Sequence, residues 1–442
     1  MSTLFVKITH FGGICACGGR AGRVYWYRAL EAVISVILGG STEMKLEQLD
    51  LRLRGLVILR GLLADPVIGK YAAMLGAAGD GAAEFVTAAA EFEAALFDTG
   101  RCWTDYLLDA VLENDNICIR RAASGGAGQA AEQALSAELT VLQQAGEQGL
   151  DELLADAPQN LRDACAFLPR WDTHAAGYAA AYAARCAEVG KRGYGMFARH
   201  HVFTVEDARL VPVRCPDPQR LSELPGYEAE RAKVIANTKA LLAGLPANNV
   251  LLYGDAGTGK SSTVKAIANE YAADGLRLVE VKKNQLYQIP AVMESLADNP
   301  LKFILFIDDL SFTANDDNFA ALKAILEGSV GGRSANIAVY ATSNRRHLIK
   351  ETLSDRGGDD IHHADTMQEL MSLSARFGLT VTFLRPDKDR FVHIVTELAE
   401  RYGVDVPHDE LIVRAEAFAI RSGGRSPRVA RQFIELCRSG VL

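Results

Sequence analysis

The run Val250-Leu-Leu-Tyr-Gly-Asp-Ala-Gly-Thr-Gly-Lys-Ser-Ser262 constrains this chain more than any other feature. From Gly254 to Ser261 it fits the pattern G-x-x-x-x-G-K-[ST], a loop that cradles phosphates. The residues before it, Asn249 to Tyr253, form the apolar run of a strand buried on both faces. Those after it, Val264, Ile267, Ala268 and Tyr271, recur at the spacing of one helix face. Strand, glycine-rich loop and helix in that order imply a specific chemistry. Gly254, Gly257 and Gly259 allow a backbone tight enough for successive N–H groups to converge on an anion. The helix N-terminus behind them favours negative charge. Asp255, Ala256, Thr258 and Ser262 complete the loop. Lys260 is placed to reach the outer phosphates and Ser261 to complete a Mg²⁺ shell. A chance glycine-rich turn would lack the flanking strand and helix. The expected ligand is a nucleoside triphosphate with Mg²⁺.

At 442 residues the chain exceeds what a single hydrophobic core usually serves, so two or three domains are expected. Its longest apolar stretch, Ala32 to Leu38, is far short of the ~20 residues a bilayer-crossing helix needs. No basic segment followed by a small-residue cleavage site precedes it, so neither a membrane anchor nor a signal peptide is expected. The eight cysteines, at 15, 17, 102, 118, 165, 186, 215 and 437, never fall in C-x-x-C. They read as reduced thiols of a cytoplasmic protein, without a zinc site or disulfide framework. The net charge of −8 gives no reason to expect a polyanion partner.

Four regions follow along the chain. Residues 1–43 are rich in glycine and aromatics without a sustained period, and read as a leader: an over-extended start or a disordered segment. Residues 44–195 carry alanine and leucine at helical spacing, broken at Asp65-Pro66, Gly76 to Gly81, Ser124 to Gly128 and Ala157-Pro158, and predict a helical domain. Its acidic surface is a solvated face that argues against DNA binding by this part. In residues 196–385 strands alternate with helices. Strands are expected at Leu210–Arg214, Asn249–Tyr253, Leu276–Val281, Phe303–Ile307, Asn336–Ala341 and Leu379–Phe383. Helices are expected from Leu224 to Leu242, after the loop, at Ile289–Ala297 and at Asn318–Leu326. That alternation predicts an α/β fold, a parallel sheet covered by helices on both faces. Residues 386–442 turn helical and read as a small lid.

A second constellation completes the site. Phe303-Ile-Leu-Phe-Ile-Asp308-Asp309 is an apolar strand ending in carboxylates, which places them at the C-terminal edge of a parallel sheet, where such folds bind ligands. Asp308 suits a Mg²⁺ held through water, and Asp309 suits orienting or deprotonating an attacking water. Read alone, an acidic pair after a strand is more often a helix N-cap. About fifty residues beyond a phosphate loop, the functional reading is favoured.

This order of motifs resembles an AAA+ ATPase. More narrowly, Leu224-Pro-Gly-Tyr-Glu228, Ala247 to Ser262, Asp308 to Phe312 and Ser343-Asn-Arg-Arg-His-Leu348 resemble a bacterial family catalogued as domain of unknown function 815, from about Phe197 onward. The resemblance implies further roles. Asn344 matches the sensor residue that holds the attacking water. Arg376 matches the arginine finger inserted into a neighbouring subunit's site. In Gly424-Arg-Ser-Pro-Arg428 it assigns Arg428 to a phosphate, with Arg425 in reserve, and it puts Tyr227 beside the adenine. It also implies a head-to-tail homo-oligomer. Two positions depart from the pattern. Ala375 stands where the family more usually has Asp, and Asp309 stands where most hydrolysing relatives carry Glu, so its shorter reach must be recovered by backbone placement.

The expected function is an AAA+ type ATPase, with slow hydrolysis coupled to remodelling or switching a protein partner and the N-terminal helical domain as adaptor. The alternative is a helicase-loader-like, nucleotide-gated DNA-binding module, favoured by Arg414, Arg421, Arg425, Arg428, Arg431 and Arg438 in the lid. A small-molecule kinase fits least, since no acceptor-substrate lid follows Asp309. Polypeptide threading has only Tyr287 in a short segment to support it.

Overall fold

A computed structural model describes residues 46–310, 321–323, 325–326, 335–344 and 376–442. The expected leader, residues 318–320 and 324 of the expected helix Asn318–Leu326, the Arg345–Leu348 part of the sensor segment and Ser372–Ala375 lie outside the described residues. The chain divides into two compact units, at Val189 and Gly190.

The first unit is helical. Its principal helices are α1 (Leu46–Arg54), α2 (Pro66–Gly76), α3 (Ala82–Phe97), α4 (Trp103–Glu113), α5 (Gln129–Glu147) and α6 (Tyr178–Ala187). The Asp65-Pro66 break is the start of α2: the Asp65 carboxylate accepts the Val67 and Ile68 N–H groups and Pro66 occupies the first turn, where no N–H is needed. At the centre Tyr71, Phe92, Trp103 and Trp171 pack with ring centroids 4.5–5.1 Å apart. The polar edges of such rings need partners when buried. Trp103 Nε1 donates to the Ala145 carbonyl at 2.9 Å and Tyr178 Oη to that of Thr104 at 3.0 Å. No helix among the described residues is long and apolar enough to cross a membrane.

The second unit is a seven-stranded sheet of β1 (Val202–Glu206), β2 (Arg209–Pro212), β3 (Val250–Gly254), β4 (Leu276–Val281), β5 (Lys302–Ile307), β6 (Ile337–Ser343) and β7 (Leu379–Phe383). Its order is β2-β1-β4-β5-β6-β3-β7. Every pairing is parallel except the β1–β2 hairpin. The fold is therefore α/β, with helices α7 (Glu228–Leu242), α8 (Lys260–Glu270), α9 (Ile289–Leu296), α10 (Lys388–Tyr402), α11 (His408–Arg421) and α12 (Pro427–Arg438).

Alternation along each strand explains the two apolar layers. Leu252, Leu278, Ile304, Phe306 and Tyr340 face α7, α8 and the last three helices in one buried cluster. Leu251, Val279, Leu305, Ile307 and Val339 face α9 on the other side. Phe391, Ile394, Leu398 and Phe433 of α10 and α12 belong to the first cluster, so the expected lid shares a core with the sheet. Strand β1 was not anticipated, because its Val202, Phe203 and Val205 lie between a helical segment and a hairpin of positive-φ residues, Asp207 and Ala208.

Candidate functional site

Strands β5, β6 and β3 are neighbours, and their C-terminal ends deliver Asp308-Asp309, Asn344 and the Gly254–Ser261 loop to one edge. A cavity of about 540 Å³ opens there. Its floor is Ala256 to Ser262, with Asp308, Asp309, Thr342 and Asn344 on one side. Gln219, Glu223, Leu224 and Pro225 form one wall, and Leu398, Tyr402, Pro427, Arg428 and Arg431 the other.

The polar groups form one connected network. Lys260 Nζ donates to the carbonyls of Gly254 and Asp255 at 2.9 and 2.7 Å and to Asn344 Oδ1 at 3.1 Å. Asn344 Nδ2 donates to Asp309 Oδ1 at 2.7 Å. The Asp309 N–H donates to Thr342 Oγ1 at 2.9 Å, and that hydroxyl donates onward to Asp308 Oδ1 at 2.5 Å. Ser261 Oγ donates to the same Asp308 oxygen at 2.6 Å. Lys260 is buried, and burial holds its ammonium below the ordinary lysine value; Asp255, Asp309 and Asp308 oppose that shift. Ser261 and Asp308 offer only oxygen donors, the set that suits Mg²⁺.

Asp309 sits at φ +50°, in the left-handed region that aspartate tolerates better than most residues. This conformation, pinned by the Thr342 hydroxyl, brings the short Asp309 carboxylate onto Asn344. Thr342 was not singled out in the sequence. Its only signal was position, two residues before Asn344 on an alternating strand, where it occupies the same edge.

The loop's first glycine has a packing role. Gly254 has φ +138°, and a Cβ there would collide with the Phe383 carbonyl of β7. Gly254 and Asp255 do not line the cavity; the Asp255 carboxylate instead accepts the Arg385 N–H at 2.7 Å. Gly257 lies against Ser426 and Arg428, whose N–H donates to the Gly257 carbonyl at 3.2 Å, so α12 begins on the loop.

Three expected placements need correction. Tyr227 is 1% exposed, its ring stacks on Phe383 with centroids 5.4 Å apart, and its hydroxyl donates to the Leu384 carbonyl at 2.5 Å. It is a core residue; Leu224 and Pro225 stand at the cavity wall. Arg425 is held away from the loop by a two-pronged contact with Glu416, at 2.8–3.1 Å. The lid arginines do not form a bare basic stripe. Arg414, Arg425 and Arg431 pair with Glu410, Glu416 and Glu435, and Arg438 lies over the Tyr402 ring. Arg428 does line the cavity, and so does Arg431. Arg376 does not. It precedes β7, whose first residue pairs with Val250 at the start of β3. The length of a five-residue strand, roughly 16 Å, therefore lies between it and its own loop.

Residues 197–440 match the family described as "Protein of unknown function (DUF815)". That stretch exceeds half of the chain. The chain belongs to the DUF815 family. Curated relatives of this DUF815 chain include a proteasome-activating nucleotidase of Methanocella arvoryzae, 26% identical over 200 residues, covering 40% of this chain and 46% of that protein. Another is the RuvB subunit of the Holliday junction branch migration complex of Bdellovibrio bacteriovorus. It is 26% identical over 235 residues, 50% of this chain and 63% of that protein. The DUF815 chain thus spans less than two thirds of either relative. Among solved structures, the RuvB Holliday junction branch migration motor of Thermotoga maritima aligns with a TM-score of 0.35 and 19% identity, over 50% of this chain and 65% of that one. In this DUF815 family member the phosphate-loop pattern, the acidic strand end and Asn344 meet at one edge of a largely parallel sheet.

Proposed function

We propose that the chain binds ATP with Mg²⁺ and hydrolyses it slowly, using the cycle to switch or remodel a protein partner. The observation that carries this reading is the unbroken network Lys260–Asn344–Asp309–Thr342–Asp308–Ser261 at the rim of the cavity. In this reading the Ala256–Ser262 backbone and Lys260 bind the phosphates, with Arg428 approaching from α12. Asp309, aimed by Asn344 and Thr342, takes the proton of the attacking water or orients it. Ser261 and Asp308 hold the Mg²⁺, which neutralises charge on the phosphates when bound. Leu224, Pro225, Leu398 and Tyr402 give the base an apolar slot. The helical domain before the ATPase domain serves as the adaptor, with the 386–442 helices as a lid. A finger from Arg376 of a neighbouring copy completes the site, since its own chain places it at the far end of β7.

The test is ATP turnover by the full chain, with and without DNA. Turnover that Lys260→Ala removes and DNA leaves unchanged is the expected result. ATP binding by Lys260→Ala within about threefold of the parent, under 1 kcal/mol, would overturn the site. Stimulation by DNA of several-fold would replace the protein partner with a nucleic acid.

A further inference from the structure

Helix α4 of the first unit starts beside a group of side chains that the nucleotide chemistry does not use. Cys102 is the residue preceding α4, and its Sγ accepts the Asp105 N–H at a long 3.5 Å. The same sulfur donates to Asp105 Oδ2 at 3.1 Å. The other carboxylate oxygen, Oδ1, lies 3.0 Å from His174 Nε2. His174 Nδ1 is 3.1 Å from the Ala175 carbonyl, which can only accept, so Nδ1 carries a hydrogen; Nε2 donates a second one to the Asp105 carboxylate and is the nitrogen an ion would take once that proton leaves.

The loop holding His174 is tied to the start of α4. The Trp103 N–H donates to the Asp172 carbonyl at 3.1 Å, and the His174 N–H donates to Thr104 Oγ1 at 3.0 Å. Thr104 is buried and donates in turn to the Gly146 carbonyl at 2.6 Å. A thiol, a carboxylate and an imidazole thus meet with no two of their donor atoms more than 4.8 Å apart.

Two simpler roles fit poorly. A helix cap alone would be better served by Ser, Thr, Asp or Asn, whose oxygens accept short hydrogen bonds where this sulfur accepts a long one. A cysteine nucleophile activated by histidine needs sulfur against imidazole, whereas here the carboxylate stands between them. The donor set suits an ion instead. Around a tetrahedral ion with bonds of about 2.0–2.3 Å, donors sit roughly 3.5 Å apart. Cys102 and His174 now contact different oxygens of Asp105, at 3.1 and 3.0 Å, and with one atom from each residue the three donors lie within 4.8 Å, so gathering them on one ion takes side-chain shifts of about an ångström. The thiolate disfavours Mg²⁺ and Ca²⁺, and mixed S, N and O ligation is that of zinc.

We infer that Cys102, Asp105 and His174 form a Zn²⁺ site with three protein ligands and a fourth position open to solvent. This departs from the expectation of a chain without a zinc site. No C-x-x-C spacing announced it, because its third ligand comes from a loop about seventy residues downstream. Asp105 and His174 are about half exposed, with side-chain exposures of 54% and 49%, so the fourth position is accessible to water. Binding forms the zinc–sulfur bond as the thiol proton leaves for solvent, and Nε2 ligates through its lone pair after releasing any proton it carries. Asp105 is already held below the ordinary carboxylate value, first by the Cys102 hydrogen bond and then by His174.

The experiment uses the full chain, stripped of metal with a chelator and titrated with Co²⁺ as a visible stand-in for Zn²⁺. A thiolate-to-cobalt charge-transfer band that saturates at a single equivalent and is erased by Zn²⁺ is the expected result. Cys102→Ser keeps an oxygen at the helix cap, so folding survives. It should abolish the band and weaken Zn²⁺ binding about tenfold or more. His174→Gln should retain the band but lower affinity about tenfold. Zn²⁺ should raise the Tm of the parent and of neither variant at the same concentration. No band in the parent, or an undiminished band in Cys102→Ser with Cys215 or another thiol as its source, would overturn the site. If Cys102→Ser fails to fold, His174→Gln decides: unchanged affinity there refutes the proposal.

Discussion

Carboxylates in the two units do opposite work. In the sheet unit, Asp308 and Asp309 stand exposed at a strand edge, yet hydroxyls and an amide side chain aim them into a cavity. In the helical unit, Glu138 is buried and accepts the N–H groups of Val57, Ile58 and Leu59 at 2.8–3.0 Å, stitching the segment after α1 onto α5. Glu93 on α3 is more extreme: it is 2% exposed and neither oxygen has a hydrogen-bond partner among the described residues. Burial pushes its carboxyl up to about 7, against a smaller opposing pull from Arg170. Charge at the sheet edge is kept hydrated and available. Charge inside the helices is spent on backbone donors or suppressed.

The largest effect tests whether the sheet-edge site is complete within one chain. Arg376→Ala should lower turnover by about 10³-fold, as loss of an arginine finger does. Specific activity of the parent should rise with protein concentration, because a head-to-tail contact completes each site. Mixing Arg376→Ala with Lys260→Ala, which keeps its finger but not its own loop, should restore part of the activity. Flat activity on dilution and no rescue would confine Arg376 to its own subunit.

Next comes the exposed carboxylate itself. Asp309→Asn retains the shape and the Thr342 contact but removes the charge, so single-turnover hydrolysis should slow by about 10²-fold or more while ATP affinity holds. Equal rates would move the proton-accepting role to another carboxylate and dissolve the contrast with the helical unit.

On the helical side, Glu138→Ala leaves three backbone donors without their acceptor and should cost about 3 kcal/mol. Denaturant unfolding of the full chain measures it, with ATPase activity per folded molecule unchanged. A loss below ~0.5 kcal/mol would mean that water substitutes freely and that the segment is not held by this residue.

The last effect is the pH response of Glu93, comparable at its upper bound to the Glu138 loss. Its folded value, about 7, lies above the unfolded 4.5, so the folded state holds the proton more tightly. Stability is therefore full below the unfolded value, falls as pH rises from about 4.5 to 7, and is flat above. The loss is at most about 3 kcal/mol, at 1.36 kcal/mol per unit. Glu93→Leu should remove this slope and be the more stable protein at pH 8 relative to the parent. An unchanged slope would show that Glu93 finds a partner when ionised.

The sequence by itself determined the parallel sheet, the loop and the acidic strand end. Each is local: periodicity sets a strand or helix, and G-x-x-x-x-G-K-S carries its chemistry within eight residues. Lys260, Ser261, Asp308 and Asp309 were named from such runs and Asn344 from the family resemblance, and the strand order brings them to one edge. Tertiary structure decided the rest. Only it could withdraw Tyr227 into the core against Phe383, occupy Arg425 with Glu416, or recruit Thr342, Tyr402 and Arg431 to the cavity. Only it could put His174 beside Cys102. These outcomes depend on which faces meet across long loops, and a side chain's neighbours there are set by burial and competing partners, not by its spacing along the chain.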